Sequence, residues 1–296
     1  MPPLTSLLYH ESTKAANIVA YLSPASTLEE SERMLEVLKT LPSSPSSSTS
    51  SPFPQIKTTV GVHPYHASEA PPLSSLASKI TECLSDDKLR PYIAAVGETG
   101  LDYSEGFPPS SAQLPVFLAQ VRLACAHGVP LFVHTRLAHE DTLSVLAKAK
   151  AEFSSLPPVL VHCFTGTEAE VRDYLELGFY IGVTGFVNKA YGAEVKDILS
   201  RRIIPLDRLC IETDAPYMGF DGCRRTFVDS DEILSTKTGK ERKKLIKQQY
   251  PNVPSSLPLV LKAGAASTMA AGASVVTSSA DDSAFSNTSS SFFLSL

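Results

Sequence analysis

From residue 17 to residue 214, short apolar runs recur, separated by longer stretches with helical spacing of apolar residues. The runs are 17–23 (NIVAYLS), 57–63 (KTTVGVH), 92–98 (YIAAVGE), 130–134 (PLFVH), 159–162 (VLVH), 179–184 (FYIGVT) and 208–214 (RLCIETD). They are unbroken rather than alternating, which predicts strands buried on both faces. Strands interleaved with helices predict parallel βα units. Two helix starts are legible. Ser26 and Glu29 have capping-box spacing ahead of Leu28, Leu35 and Leu38, and Thr167 and Glu170 cap a helix that Gly178 stops. Seven units are counted, and eight would make a (β/α)8 barrel. A doubly wound sheet is the rival, but no GxGxxG follows any strand. The predicted class is therefore α/β, a (β/α)8 TIM barrel in which seven strands are identifiable.

Two segments depart from this rhythm. Residues 42–54 (PSSPSSSTSSPFP) are Ser/Pro-rich with nothing to bury and read as a surface insertion. Residues 263–296 are Ala/Ser-rich and read as a tail or as poorly matched closing helices, which leaves 1–262 as the expected hydrolase domain. Hydrophobic residues make up 43% and charged residues 19%, ordinary for a globular chain of 296 residues. No run of eighteen apolar residues exists, and the start MPPLTSLLYHESTK lacks a basic n-region, so neither a membrane span nor a secretory signal is expected. Five cysteines without a CxxC fit a reducing compartment, cytoplasm or nucleus.

The chemistry-bearing residues fall at the strand ends. His63, Glu98, His134, His162 and Asp214 each close an apolar run. In a (β/α)8 barrel those ends meet on the face that carries the active site. Imidazoles and carboxylates on one rim suit a divalent metal that activates water, with a spare carboxylate as base. His66, in GVHPYH, either touches a substrate phosphate or caps a turn. His10, His127, His139 and the cysteines, including Cys163, are read as structural or surface residues. The net charge of −5 excludes a bulk polyanion binder, so any nucleic-acid contact needs a local basic patch. Residues 224–247 are rich in Lys and Arg. The run 240–247 is read as a solvated charged face, and Arg224 and Arg225 as candidate phosphate contacts.

At these residues the chain resembles a known family. GVHP (61–64), VGETGLDY (96–103), VHTR (133–136), VHCFTGT (161–167), YIGVTG (180–185) and IETDAPY (211–217) are similar, in order and spacing, to the signature blocks of the TatD family of metal-dependent deoxyribonucleases. The resemblance implies a (β/α)8 barrel that uses divalent metal (Mg, Mn or Zn) to hydrolyse DNA, often from the 3′ end of single strands. It implies Glu98, His134 and His162 as metal ligands and Asp214 as the metal-adjacent catalytic acid and general base. It implies His63 as a contact to the substrate phosphate. No membrane and no obligate protein partner is expected. One departure is the family's first strand, which carries Asp and His or Asn ligands. Residues 1–16 hold no such strand, and a gene model that starts too late is the expected reason. Val253 stands where many relatives carry Glu. A metal hydrolase of another ester, such as aminoacyl-tRNA, and an inactive remnant are the alternatives.

Overall fold

The computed structural model describes residues 16, 20–41, 55–229 and 231–269. The chain divides into two compact units. One runs from Val19 to Phe164, and the other is built from Thr165 onward. The expectations for residues 1–15, for the 42–54 insertion and for the tail beyond 269 lie outside the described residues.

The first unit holds β1 (Ala20–Ser23), α1 (Leu28–Thr40), β2 (Gln55–Val60), α2 (Leu73–Ser85), β3 (Ile93–Asp102), α3 (Ser110–His127), β4 (Leu131–Arg136), α4 (His139–Phe153) and β5 (Val159–Val161). Each strand pairs in parallel with the next, from Ala20 opposite Gln55 to Val133 opposite Val161. The apolar runs of β3, β4 and β5 are largely buried, as expected of parallel strands covered on both faces, whereas β1 buries only Leu22. Val96, Leu131, Phe132, Val133 and Val161 are all buried, as are Phe117 and Val121 of α3. Burying each such side chain contributes about 1.5–3 kcal/mol.

The second unit holds α5 (Glu168–Glu176), β6 (Tyr180–Val183), α6 (Ala193–Ser200), β7 (Leu209–Ile211), α7 (Arg225–Val228), α8 (Asp231–Thr236), α9 (Gly239–Lys247) and α10 (Leu257–Met269). Its two strands are also parallel, with Ile181 opposite Leu209. All seven predicted strands are thus present. The boundary drawn at Lys262 falls inside α10.

Two local expectations shift. The first helix is capped one residue later than read: Thr27 accepts from the Glu30 amide, and the Glu30 carboxylate reaches back to the Ser26 amide at 3.0 Å. The box at Thr167 and Glu170 forms as predicted. Second, β3 does not end at Glu98 but runs four residues further, to Asp102. Gly97 and Gly100 have φ of 151° and 141°, where a side chain is strained. They also lie against β4. A Cβ on Gly100 would meet the His134 carbonyl oxygen at 1.8 Å, and one on Gly97 would meet the Phe132 carbonyl oxygen at 2.5 Å. The glycines that looked like a strand terminus are the means of close strand approach.

Candidate metal centre

The register between β3 and β4 builds the centre. Val96 pairs with Leu131 and Thr99 with Val133, so β3 carries one extra residue in this interval. Glu98 sits in that bulge, a device that re-aims a side chain. Beyond it, Gly100 lies opposite His134. Glu98 and Asp102 therefore flank His134, two positions to either side. The imidazole meets both carboxylates. His134 Nδ1 is 3.1 Å from Glu98 Oε1, and His134 Nε2 is 2.9 Å from Asp102 Oδ2.

Two more imidazoles reach the same Glu98 oxygen. His63 Nε2 is 3.3 Å from Oε1 and His162 Nε2 is 3.8 Å away. His63 lies three residues past β2, fixed by its amide to the Ser26 carbonyl at 2.9 Å. His162 directly follows β5, its amide donating to the Val133 carbonyl at 2.9 Å. Its ring packs on Phe132 at 4.7 Å between centroids. Ligand atoms of His63, Glu98 and His134 all lie within 4.8 Å of one another.

The charges are tightly coupled. Burial alone would push the Glu98 carboxyl up. The charge of His162 and hydrogen bonds from His134 and His63 outweigh it and hold the group well below the usual carboxylate range. Burial would lower His134, but its bonds to Asp102 and Glu98 raise it. For Asp102 the upward push of burial is overcome by His134 and by Ser104, whose amide donates to Asp102 Oδ1 at 2.8 Å.

The donor set fits a divalent cation. A neutral imidazole has one N–H, yet His134 faces a carboxylate at each nitrogen. Without a cation it must carry two protons. If Asp102 holds the Nε2 proton, the Nδ1 lone pair is left beside Glu98, where an ion can take the second proton's place. A carboxylate that orients a ligating histidine from behind is the usual support of such sites. His63 has a different role. Its Nδ1 accepts from the Tyr65 amide at 3.1 Å, so its neutral form carries the proton on Nε2. That atom is a donor, facing Glu98 or a phosphate oxygen, rather than a ligand.

Asp102 was missed by the strand-end reading, although its spacing of four from Glu98 places both on one strand face. Two buried glutamines on α3 were also missed. Gln113 clamps the Asp102 backbone, accepting from its amide at 2.8 Å and donating to its carbonyl at 2.6 Å. Gln120 clamps Val62, next to His63, at 2.7 and 3.0 Å.

His66 is turned to Glu69, with Nδ1 3.4 Å from Oε2. Asp214 follows β7 in the second unit with φ of 53°, and its carbonyl accepts from the Tyr217 amide at 2.6 Å. Arg224, read as a phosphate contact, is only 9% exposed. It donates to Gln248 Oε1 at 3.2 Å and to the Tyr250 carbonyl at 3.4 Å, and its guanidinium lies over the Phe227 ring. It ties two loops together. Arg225, the next residue, is exposed.

Comparison with known proteins agrees with the sequence blocks. The family of TatD related DNases matches residues 9–233. A protein named 3′-5′ ssDNA/RNA exonuclease TatD from Cronobacter turicensis is 36% identical over 211 residues, covering 69% of this chain and 70% of that protein. Its namesake from Rahnella sp. is 40% identical over 161 residues, 54% of this chain and 57% of that protein. The chain thus spans less than two thirds of the Rahnella relative. Among solved structures, YJJV, a TatD homolog from Escherichia coli K12, superposes with a TM-score of 0.68 at 22% identity, covering 90% of this chain and 86% of that one. A TatD family hydrolase from Entamoeba histolytica gives 0.62 at 23%, covering 87% and 80%. These likenesses show the fold, an α/β barrel class with seven parallel strands among the described residues. Family match and relatives together show that this chain belongs to the TatD-related DNase family.

Proposed function

We propose that the chain is a divalent-metal-dependent nuclease that hydrolyses phosphodiester bonds, working from the 3′ end of single-stranded DNA. The observation that carries the reading is one carboxylate oxygen, Glu98 Oε1, approached by the imidazoles of His63, His134 and His162. The names of the bacterial relatives support the substrate and the direction.

In this reading Glu98, His134 and His162 hold the cation. Once bound, it supplies Lewis-acid polarisation of the phosphate and a lowered pKa for water. Asp102 holds the His134 ring in the tautomer that leaves Nδ1 free to ligate. His63 Nε2–H donates to a non-bridging phosphate oxygen and orients it. Asp214 takes the proton of the attacking water, a role it carries on the sequence resemblance. Among the described residues no helix is long and apolar enough to cross a membrane. The reading places the protein in the cytoplasm or nucleus.

The test is degradation of 3′-labelled and 5′-labelled single-stranded oligonucleotides with Mg or Mn, beside Glu98→Ala and Asp214→Ala. Loss of label from the 3′ end, abolished in both variants, is expected. Undiminished hydrolysis by either variant, or metal-independent hydrolysis by the wild type, overturns the assignment.

A further inference from the structure

The basic run that the sequence reading set aside as a solvated face has a definite geometry. α9 is anchored at its start by a capping box between Thr238 and Glu241. Arg242 is tied to Asp229 Oδ1 at 2.5 Å. Lys240, Lys243, Lys244 and Lys247 follow the i, i+3, i+4, i+7 spacing of one helix face, and all four are exposed. In a chain of net charge −5, this is a concentrated positive stripe.

Three residues after Lys247 the chain reaches Tyr250, so their Cα atoms are at most about 11 Å apart. Tyr250 is 54% exposed and Tyr191 is 68% exposed. Lys189 joins them. Its Nζ donates to the Tyr250 hydroxyl at 2.7 Å and lies 5.1 Å from the Tyr250 ring and 5.6 Å from the Tyr191 ring. Phe186 packs edge-on against Tyr191 at 5.2 Å. The backbone behind Tyr250 is held firmly. Arg224 bonds its carbonyl, Cys223 Sγ donates to the Gln249 carbonyl at 3.4 Å, and buried Asn252 donates to the Thr213 carbonyl at 2.8 Å. Aromatic rings held in place, exposed and gathered around a cation offer stacking faces to a partner.

We infer that the lysine face of α9, together with Tyr191 and Tyr250 around Lys189, is a binding surface for single-stranded nucleic acid. The lysines neutralise phosphates and the tyrosines stack bases. An unpaired strand offers bare base faces and a dense phosphate charge together, and sites for it combine basic grooves with aromatic platforms. A duplex hides its base faces, and an acidic protein surface gives the rings nothing to stack on. The inference rests on the nuclease reading and extends it to residues outside the metal centre.

The test is binding rather than turnover. The affinity of a fluorescent oligothymidylate, and of the same strand with abasic positions, is measured by anisotropy in chelator. Wild type, Tyr191→Ala, Tyr250→Ala, Tyr191→Phe and a Lys243→Ala/Lys244→Ala/Lys247→Ala triple are compared. Each alanine at a tyrosine weakens oligothymidylate binding on the order of ten-fold and reduces the advantage over the abasic strand. Tyr191→Phe keeps both, which separates stacking from misfolding. The triple lowers the slope of log affinity against log salt by up to about 2, at roughly 0.7 per phosphate contact. Wild-type affinity in the tyrosine variants, or an unchanged salt slope in the triple, overturns this surface while leaving the nuclease reading in place. No wild-type affinity for either strand overturns this surface, while hydrolysis of the same strand with Mg or Mn tests the nuclease reading separately.

Discussion

Replacing Asp102 by Asn changes one charge and almost no volume, and it tests the arrangement around His134 directly. Asp102 is 1% exposed and serves two donors, His134 Nε2 at 2.9 Å and the Ser104 amide at 2.8 Å. Asparagine can serve only one. If its carbonyl accepts from His134, its NH2 faces the Ser104 N–H, and a buried donor left unmatched costs about 1–3 kcal/mol. If the amide is flipped, its NH2 donates to His134 Nε2. That forces the imidazole proton onto Nδ1 and blocks the lone pair beside Glu98. Either route removes the carboxylate that orients the ring, a loss that typically weakens metal affinity about 10- to 100-fold. That ratio corresponds to roughly 1.4–2.8 kcal/mol. Isothermal titration of Mn and Zn into chelator-stripped wild type and Asp102→Asn measures it. Nitrogen-15 spectra of the imidazoles report the tautomer, and thermal melts confirm folding. Glu69→Gln, at the exposed His66 pair, is the control and should bind metal as the wild type does. A folded Asp102→Asn protein with unchanged metal affinity would refute the argument that Asp102 sets the state of His134.

Other consequences are as direct. Gly100→Ala places a methyl 1.8 Å from the His134 carbonyl at a φ of 141°. It should cost at least ~3 kcal/mol, seen as a large drop in Tm or in soluble yield. Arg224→Ala should destabilise the chain by about 1–3 kcal/mol in urea, through the lost ties to Gln248 and Tyr250. Arg225→Ala, at an exposed position, should stay within about 0.5 kcal/mol of wild type. Burial, reinforced by Glu212, pushes the Cys210 thiol up to about 12. The unfolded thiol ionises near ~8.5, so above that pH the unfolded chain binds fewer protons than the folded one and stability falls. The loss attributable to this thiol is about 1.4 kcal/mol per pH unit until the folded pKa is reached. Cys210→Ala should lack that component of the alkaline decline, and parallel declines for the two proteins would contradict it.

The sequence made the frame of the first unit legible because parallel strands covered on both faces must be apolar throughout, and such runs stand out without any alignment. It made four members of the centre legible for a related reason. A His or Glu directly after an apolar run has few purely structural uses. It misled where glycine was involved. The apolar run was bounded at Glu98, while the strand continues through Gly100 to Asp102, four residues on. The glutamines of α3 carried a weaker signal, two polar residues seven apart on a helix whose neighbours are buried. Only the structure shows that both are spent on backbone groups, of Asp102 itself and of Val62 beside His63. Arg224 misled in the opposite way. Nearness to Asp214 in sequence suggested a shared ligand, while its actual partners are 24 and 26 residues away.

A backbone without a side chain at Gly100 lets β3 close in on the His134 backbone carbonyl, and Glu98 and His134 sit on those two strands. A side chain at that position would collide with the backbone of the strand that carries His134. The functional groups can be read from residue type, but their convergence depends on positions where the residue contributes nothing but absence. A variant that restores the missing space elsewhere, for instance a smaller residue at 134, cannot rescue Gly100→Ala, because the clash is with the His134 backbone carbonyl and not with its ring. Combining Gly100→Ala with His134→Ala should therefore be no more stable than Gly100→Ala alone. Recovery of stability in the double variant would show that the ring, rather than strand approach, is what Gly100 accommodates.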